Sequence, residues 1–598
     1  MFNYLFNYFC MKNHYLNVSV CTLITLLFTA CAKINPPVNE LYRFNQLGFY
    51  PSQEKIAVLD TVVSGPFYIK EFNSGKVVYE GLVSQPRLSA FSEKETVVIP
   101  FSQLRTKGTY FIEIPEVGKS LPFEIKDSLF SSLSKASLKA FYLQRSGTAI
   151  EAEFAGKWER PAGHPDTLVR IHPSAATAVR PAESLISSPK GWYDAGDYNK
   201  YIVNSGFTVG ILLSLYEDYP KYAQSVSVQI PESANQTPDL LDEVWWNLEW
   251  MLSMQDPSDG GVYHKLTTPS FEGMIKPTEC KQPRYVIEKS VTATLDFAAS
   301  MAQASRVFAP FEKDYPEVSK KMLQASIRAF NWALQHPDAL YNQRKMNASF
   351  KPAVSTGGYE DRSATDEFFW AATELYITTG NDKYTSYVKQ YLPESFILPV
   401  WGKVYGLAQM SLIRNRDKLE KEMGSLSDSA GKQLISYVDS CLAGVELAPY
   451  AAAYGRSAKD FFWGCNSDKA SNQGIAFLYA YRLTNDRRYL TNALHSMDYL
   501  LGRNATGYCY VTGFGHKSPL HPHHRLAASD GIDEPLPGFL VGGPNPGKQD
   551  GCEYPSLVPD EAYVDILPSY ASNEIAINWQ GMFTYYAMAL DATLRDIK

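Results

Sequence analysis

From residue 130 onward the sequence carries amphipathic helical stretches around 204–218, 287–307, 315–337, 363–379, 469–483, 486–501 and 575–595, with almost no strand signal between them. In an eighth, Thr237-Pro238 supplies an N-cap and a first helical residue, and Leu241, Val244, Trp245, Leu248 and Leu252 then fall on one stripe. Helices with a single apolar stripe bury it by pairing into αα-hairpins that stack. The pattern therefore predicts a mainly α protein, a helical toroid or solenoid with its functional residues in the loops at one end. No fixed sequence repeat marks the hairpins.

Ahead of this region the texture is different. Lys55–Leu59, Pro66–Lys70, Lys76–Tyr79, Thr96–Ile99, Thr109–Ile114 and Leu121–Ile125 are short alternating runs, separated by turn signals such as Asn73-Ser74-Gly75 and Lys107-Gly108. They predict a small antiparallel β-sandwich over residues 40–128, followed by a helical domain over 129–598. A chain of 598 residues has room for both. Its 45% hydrophobic and 20% charged composition is that of a folded globular protein, and a formal net charge of −7 leaves no basic stripe for nucleic acid. An uncharged substrate fits this balance. The 39 Tyr, 31 Phe and 10 Trp exceed what a site needs, so most are core, with a remainder free to stack on flat ligands.

The first thirty residues read as an export signal of the lipoprotein type. Leu16 to Ala30 is mainly apolar, too short to span a membrane comfortably and preceded by Lys12. It ends in Leu27-Phe28-Thr29-Ala30-Cys31, which resembles a bacterial lipobox with Phe28 in place of the usual Leu. Cleavage before Cys31 and acylation of its thiol would anchor the protein to the membrane by lipid. Residues 31–39 then form a tether without an acidic cluster, which favours the periplasmic side of the cell envelope over the cell surface. Met11 starts a more ordinary signal than Met1 does. Beyond Cys31 the cysteines are Cys280, Cys441, Cys465, Cys509 and Cys552, an odd count with no Cys-x-x-Cys pair, so neither a zinc knuckle nor a redox motif is indicated.

Chemistry concentrates in three stretches. In Gly191-Trp-Tyr193-Asp194-Ala-Gly196-Asp197-Tyr-Asn-Lys200, a turn at Gly196 lets both carboxylates converge, where repulsion and aromatic walls perturb their proton affinity and a water held between them becomes a nucleophile. Taken alone, the same four residues are equally a turn whose aspartates cap a helix. The run from Tyr510 to Arg525 holds His516, His521, His523, His524 and Arg525. With no carboxylate and no i, i+4 histidine pair, it suits sugar hydroxyls better than a metal. In the run from Tyr563 to Trp579, Glu574 opens an apolar helix; in a hydrophobic pocket it would keep its proton and act as a general acid.

Together with Leu540-Val-Gly-Gly-Pro-Asn545 and Asn45-Gln46-Leu47-Gly48-Phe49, these stretches resemble glycoside hydrolase family 9, the inverting cellulases, with their amino-terminal immunoglobulin-like domain, over residues 40 to 595. The resemblance implies an (α/α)6 barrel with a cleft across its loop end. It implies Asp197 as the base that activates water, Asp194 as its partner and Glu574 as the general acid. His523 and Arg525 would lie near the reacting sugar, and Asp565 would be an acidic signature position that organises the site. Tyr193, Trp463 and Tyr570 are candidate stacking residues, and Asp361, with Asp366 and Glu367 nearby, either binds sugars or caps the following helix. Some relatives hold a structural zinc; here Ser146 and Tyr193 stand at two ligand positions and only His164 remains, so that site should be empty. Gln580-Gly581 and Cys509 also depart from the family pattern. Calcium is common in the family, and Asp530, Asp533 and Glu534 offer oxygen ligands; no cofactor is required.

The expectation is a lipid-anchored endo-β-1,4-glucanase acting on a β-glucan, with cellulose, mixed-linkage glucan, xyloglucan and cellodextrins all open. The rival readings are an exo-acting β-glycosidase and a non-catalytic glycan-binding lipoprotein.

Overall fold

In the computed structural model, residues 38–596 are described; the export segment and Cys31 lie outside them. Every strand anticipated over 40–128 is present, within a few residues at its ends. One sheet orders Tyr42–Arg43 (β1), Ile56–Leu59 (β2), Glu95–Pro100 (β6) and Arg87–Leu88 (β5). The other orders Val77–Leu82 (β4), Pro66–Glu71 (β3), Gly108–Ile114 (β7) and Gly118–Lys119 (β8), with Phe123–Ile125 (β9) also on β7. Strand β7 alternates as its sequence requires: Tyr110, Ile112 and Ile114 point inward and are buried with Phe67, Ile69, Ile99 and Phe123 between the sheets.

Twelve helices then form two concentric rings. The inner six are Ile202–Asp218 (α2), Val291–Phe308 (α4), Thr365–Thr379 (α6), Tyr405–Arg414 (α8), Asn472–Thr484 (α10) and Ile577–Asp596 (α12). Around them stand Ser131–Leu143 (α1), Asp239–Ser253 (α3), Val318–Gln335 (α5), Thr385–Tyr391 (α7), Lys421–Leu442 (α9) and Arg487–Leu500 (α11). Sequence and position agree: α4 is buried on every face except at Arg306, whereas α5 buries one stripe containing Met322, Ala325, Ala329, Phe330 and Ala333. This is the (α/α)6 barrel.

Two local expectations change. Helix α3 begins at Asp239, with Pro238 at the cap position, and the Thr237 hydroxyl donates to Asp314 at 2.8 Å instead of capping. A five-stranded sheet also lies within the helical domain: Leu185–Ile186 (β11), Val169–Ile171 (β10), Tyr285–Val286 (β14), Lys265–Thr267 (β13) and Lys200–Tyr201 (β12). Its strands are two or three residues long, too short for an alternation to register.

The sandwich is joined to the barrel by apolar packing of Tyr50, Ile56, Val58 and Val98 and by polar groups. Arg503, fully buried, pairs with Asp498 at 2.9 Å and donates to the carbonyls of Tyr450 and Ala451, and Asn45 donates to Asp498 at 2.8 Å. Gln46 Oε1 accepts the amides of His516 and Lys517, so the β domain holds the root of the histidine-rich loop.

Candidate active site

Strand β12 pairs with β13 and runs directly into α2, fixing the chain just after the Asp-Ala-Gly-Asp turn. The turn itself closes through Asp194 N–H to Asn199 O at 3.0 Å. Asp194 accepts Asn204 Nδ2 and the Tyr359 hydroxyl, both at 2.6 Å. Asp197 accepts Asn199 Nδ2 at 2.6 Å and the Tyr201 hydroxyl at 3.2 Å, both on Oδ2, which leaves Oδ1 free of donors among the described residues. Both carboxyls open on one cleft of about 770 Å³ that is also lined by Glu574, His523, Arg525 and the aromatics Phe271, Tyr359, Trp401, Trp463, Tyr570 and Trp579. Burial, then the neighbouring Asp197 charge, raises the Asp194 carboxyl to about 8.

Glu574 does not open a helix as the sequence suggests. It is extended backbone between the Tyr570–Asn573 turn and α12, bridged to His523 and held by Gly542 N–H to its carbonyl at 2.9 Å. Its Oε1 accepts Gly196 N–H at 3.2 Å, a direct link between the turn of the two aspartates and a carboxyl 378 residues away in sequence. Gly196 is required for this approach, because a Cβ there would lie 2.1 Å from the His523 carbonyl oxygen. Burial, and secondarily the Asp197 charge, holds the Glu574 proton affinity well above the usual carboxylate range, while Arg525 pulls against both. Glu574 is therefore a protonated acid facing the cleft.

Arg525 commits part of its donor set to the protein. It reaches Gly196 O from both its backbone amide (3.0 Å) and Nη1 (2.8 Å), sends Nε to Glu272 O at 2.9 Å, and sets its guanidinium 5.5 Å from the Phe271 ring. It positions the site, while Nη2, with no partner among the described residues, leaves donors on a side chain that lines the cleft. His523 Nδ1 donates to Leu567 O at 2.7 Å; since a carbonyl only accepts, Nε2 carries the lone pair, and burial keeps the ring neutral.

Other anticipated residues divide. Trp463 is 38% exposed on the cleft wall beside Tyr570, with ring centroids 5.6 Å apart. Asp565 organises a loop, accepting Leu520 N–H, His521 N–H and Asn573 Nδ2 at 2.8–3.0 Å. Tyr193 corrects its expectation: it is fully buried against Tyr198 and His164, with no face open to a sugar. Asp361 is corrected likewise, since it lies off the cleft lining and folds onto the backbone amides of Arg362 and Ser363 ahead of α6. Sequence reasoning missed Tyr359, Asn204, Trp401 and Phe271. Tyr359 lies two residues before Asp361, but nothing in the pattern tells which side chain turns inward.

The metal expectations meet a different geometry. Asp530 closes a turn onto Ile532 N–H, and Glu534 pairs with Lys157 at 2.9 Å, so the supposed calcium ligands Asp530, Asp533 and Glu534 do not converge. A denser acidic group lies between α4 and α6, where neither carboxyl oxygen of Asp296 or Glu367 meets a donor, and burial and then Asp366 push both above the usual range. These are oxygens of the kind calcium takes. Yet among the described residues no group of three or more His, Cys, Asp or Glu side chains converges on a metal position. Where the resemblance puts a zinc site, His164 Nδ1 is hydrogen-bonded to the Tyr193 hydroxyl at 2.9 Å beside Ser146, a set that does not fit zinc. His516 packs against Phe44, and His524 bonds Gln144 at 2.8 Å. All five described cysteines are free thiols.

Comparison with known proteins bears on this geometry. A family model described as Glycosyl hydrolase family 9 matches residues 130–587, and one described as Cellulase N-terminal ig-like domain matches residues 40–119. A xyloglucan-specific endo-beta-1,4-glucanase of Bacteroides ovatus is 51% identical over 576 residues, 96% of this chain and 98% of its own. Endoglucanase D of Acetivibrio thermocellus is 32% identical over 554 residues, 91% of this chain and 82% of its own. A solved structure titled as a Bacteroides ovatus GH9 superposes with a TM-score of 0.89 at 50% identity, covering 93% of this chain and 100% of that one.

Proposed function

The chain belongs to glycosyl hydrolase family 9, and from that premise we infer that it is an inverting endo-β-1,4-glucanase whose preferred substrate is xyloglucan. The observation that carries the chemistry is the cleft shared by Asp194, Asp197 and Glu574, with the Gly196 amide joining the turn of the two aspartates to the acid. Inversion needs a carboxylate on each face of the sugar, about 6.5–9.5 Å apart, with a water on one side.

In this reading Asp197 takes a proton through its free Oδ1 from a water that Asp194 helps to hold. That water attacks the anomeric carbon as Glu574 gives its proton to the departing glycosidic oxygen. Asn204, Tyr359, Asn199 and Tyr201 hold the two aspartates in place, and Arg525 and Asp565 hold the loops. The relative's xyloglucan specificity, at 51% identity over nearly the whole chain, supports the substrate assignment. Export and lipid anchoring through Cys31, on the periplasmic side, belong to the same proposal and are checked by mass spectrometry of the N-terminal peptide from membranes.

A glucan panel tests the reading. Xyloglucan should be cleaved fastest and internally, with viscosity falling well before reducing ends accumulate. Release of only terminal units, or no hydrolysis of any β-glucan, would refute it.

A further inference from the structure

Trp463 and Asp468 occupy one irregular stretch of the cleft wall. Residues Asn466–Ser471 form a π-helical turn immediately ahead of α10, an expansion that is rare and concentrates at functional sites. The turn is held firmly. Asn466 Nδ2 donates to Val541 O at 3.0 Å and Ser471 Oγ to Asn466 O at 2.9 Å. Gly464, at φ +76°, packs so closely that a Cβ would sit 2.3 Å from Trp579 Nε1 at the start of α12.

This arrangement brings Asp468 into the cleft lining with only 8% of its surface exposed. Among the described residues its carboxyl receives no hydrogen bond and no ion pair, and the adjacent Lys469 lies 3.8 Å from Asp460 instead. Asn578, still more buried at the start of α12, lines the same cleft, and the described residues give its amide no partner either. Buried polar side chains in this condition are uncommon and call for a reason. Burial raises the Asp468 carboxyl to about 8, so at neutral pH it is a neutral acid with a donor as well as acceptors. A neutral acid and an amide lining the same cleft as the exposed indole of Trp463 match a pyranose, which offers C–H bonds to an indole and hydroxyls at its edge.

We propose that Asp468, together with Asn578 and Trp463, forms a hydroxyl-reading sugar subsite that fixes the register of the glucan in the cleft and so helps determine specificity. The inference rests on the glucan-hydrolase reading above, and concerns a carboxyl separate from Asp194, Asp197 and Glu574.

The test uses the full chain with Asp468→Ala and Asp468→Asn. On a xyloglucan oligosaccharide, Asp468→Ala should raise KM about fivefold or more, with a smaller fall in kcat. Calorimetry in a Glu574→Gln background should show a matching weakening of Kd. Asp468→Asn, which keeps a donor and an acceptor, should recover to within about twofold of wild type. Combining Asp468→Ala with Trp463→Ala should cost less than the product of the two single losses, because both serve one sugar. If the alanine variant misfolds, Asp468→Val carries the same expectation. A wild type that cleaves xyloglucan, alongside variants with shifted Tm but unchanged KM and Kd, overturns the subsite alone. A wild type that cleaves no β-glucan overturns the functional reading and the subsite with it.

Discussion

Replacing Glu574 with glutamine isolates one proton. The amide keeps the side chain's shape and an oxygen for Gly196 N–H, so the contact at 3.2 Å can persist and the turn has no reason to move. What disappears is proton donation to the leaving oxygen. A positioned acid of this kind contributes about 10²–10⁴-fold, equal to about 2.7–5.4 kcal/mol of barrier, and kcat on xyloglucan should fall by that factor. An aryl glycoside with a dinitrophenolate leaving group departs without protonation, so its loss should stay within about tenfold. The pH profile adds a second signature. Because burial and the Asp197 charge raise the Glu574 proton affinity, the wild-type rate on glucan should fall only as pH climbs through that raised value, and the variant acting on the aryl substrate should lack this alkaline limb. Stability follows the same sign. A carboxyl whose folded pKa lies above its unfolded value of 4.5 contributes stability that is complete below that value and is lost as pH rises toward the folded one. The Gln variant should therefore match wild type in Tm near pH 4 and equal or exceed it at pH 7–8. Equal losses on glucan and aryl substrate, or survival of the alkaline limb, would refute the assignment of Glu574 as the acid.

Gly196→Ala should cost about 1–3 kcal/mol of stability or more and abolish most activity, because its Cβ falls 2.1 Å from the His523 carbonyl oxygen; calorimetry showing wild-type Tm would contradict the close approach. Arg503→Ala leaves Asp498 buried and uncompensated at the domain junction, so chemical denaturation should show a loss of about 3–5 kcal/mol. Dialysis against a zinc chelator should leave Tm unchanged, since the Ser146, His164 and Tyr193 set does not fit the metal; a fall of several degrees would mean that zinc is held elsewhere.

Much of the molecule is legible in its sequence, for identifiable reasons. The six short β runs and the striped helices declare their period, whereas the Asp-Ala-Gly-Asp turn and Glu574 each allow a capping role when taken alone, and their roles, like those of His523 and Arg525, come from the resemblance to a known family. Helices α1, α7, α8 and α9 do not stand out in the same way; α7 and α8, at seven and ten residues, are shorter than the stretch over which a helical period can be read. The two-residue strands that carry the base turn are invisible for a related reason, since two residues hold one period. Side-chain direction is the other gap. Tyr193 and Tyr359 look alike in sequence, yet one is sealed against His164 while the other reaches Asp194, and only closure of the barrel decides between them. Asp468 is hidden most completely, because its entry into the cleft depends on a π-helical turn that leaves no pattern in the residues themselves.

The geometry of attack has one direct readout: proton NMR of the newly formed reducing end during the first minutes of hydrolysis of a β-linked oligosaccharide. Water delivered by Asp197 from the face opposite Glu574 must give the α-anomer, which then mutarotates. A β-anomer appearing first would mean that the two carboxyls do not work from opposite sides of the bond.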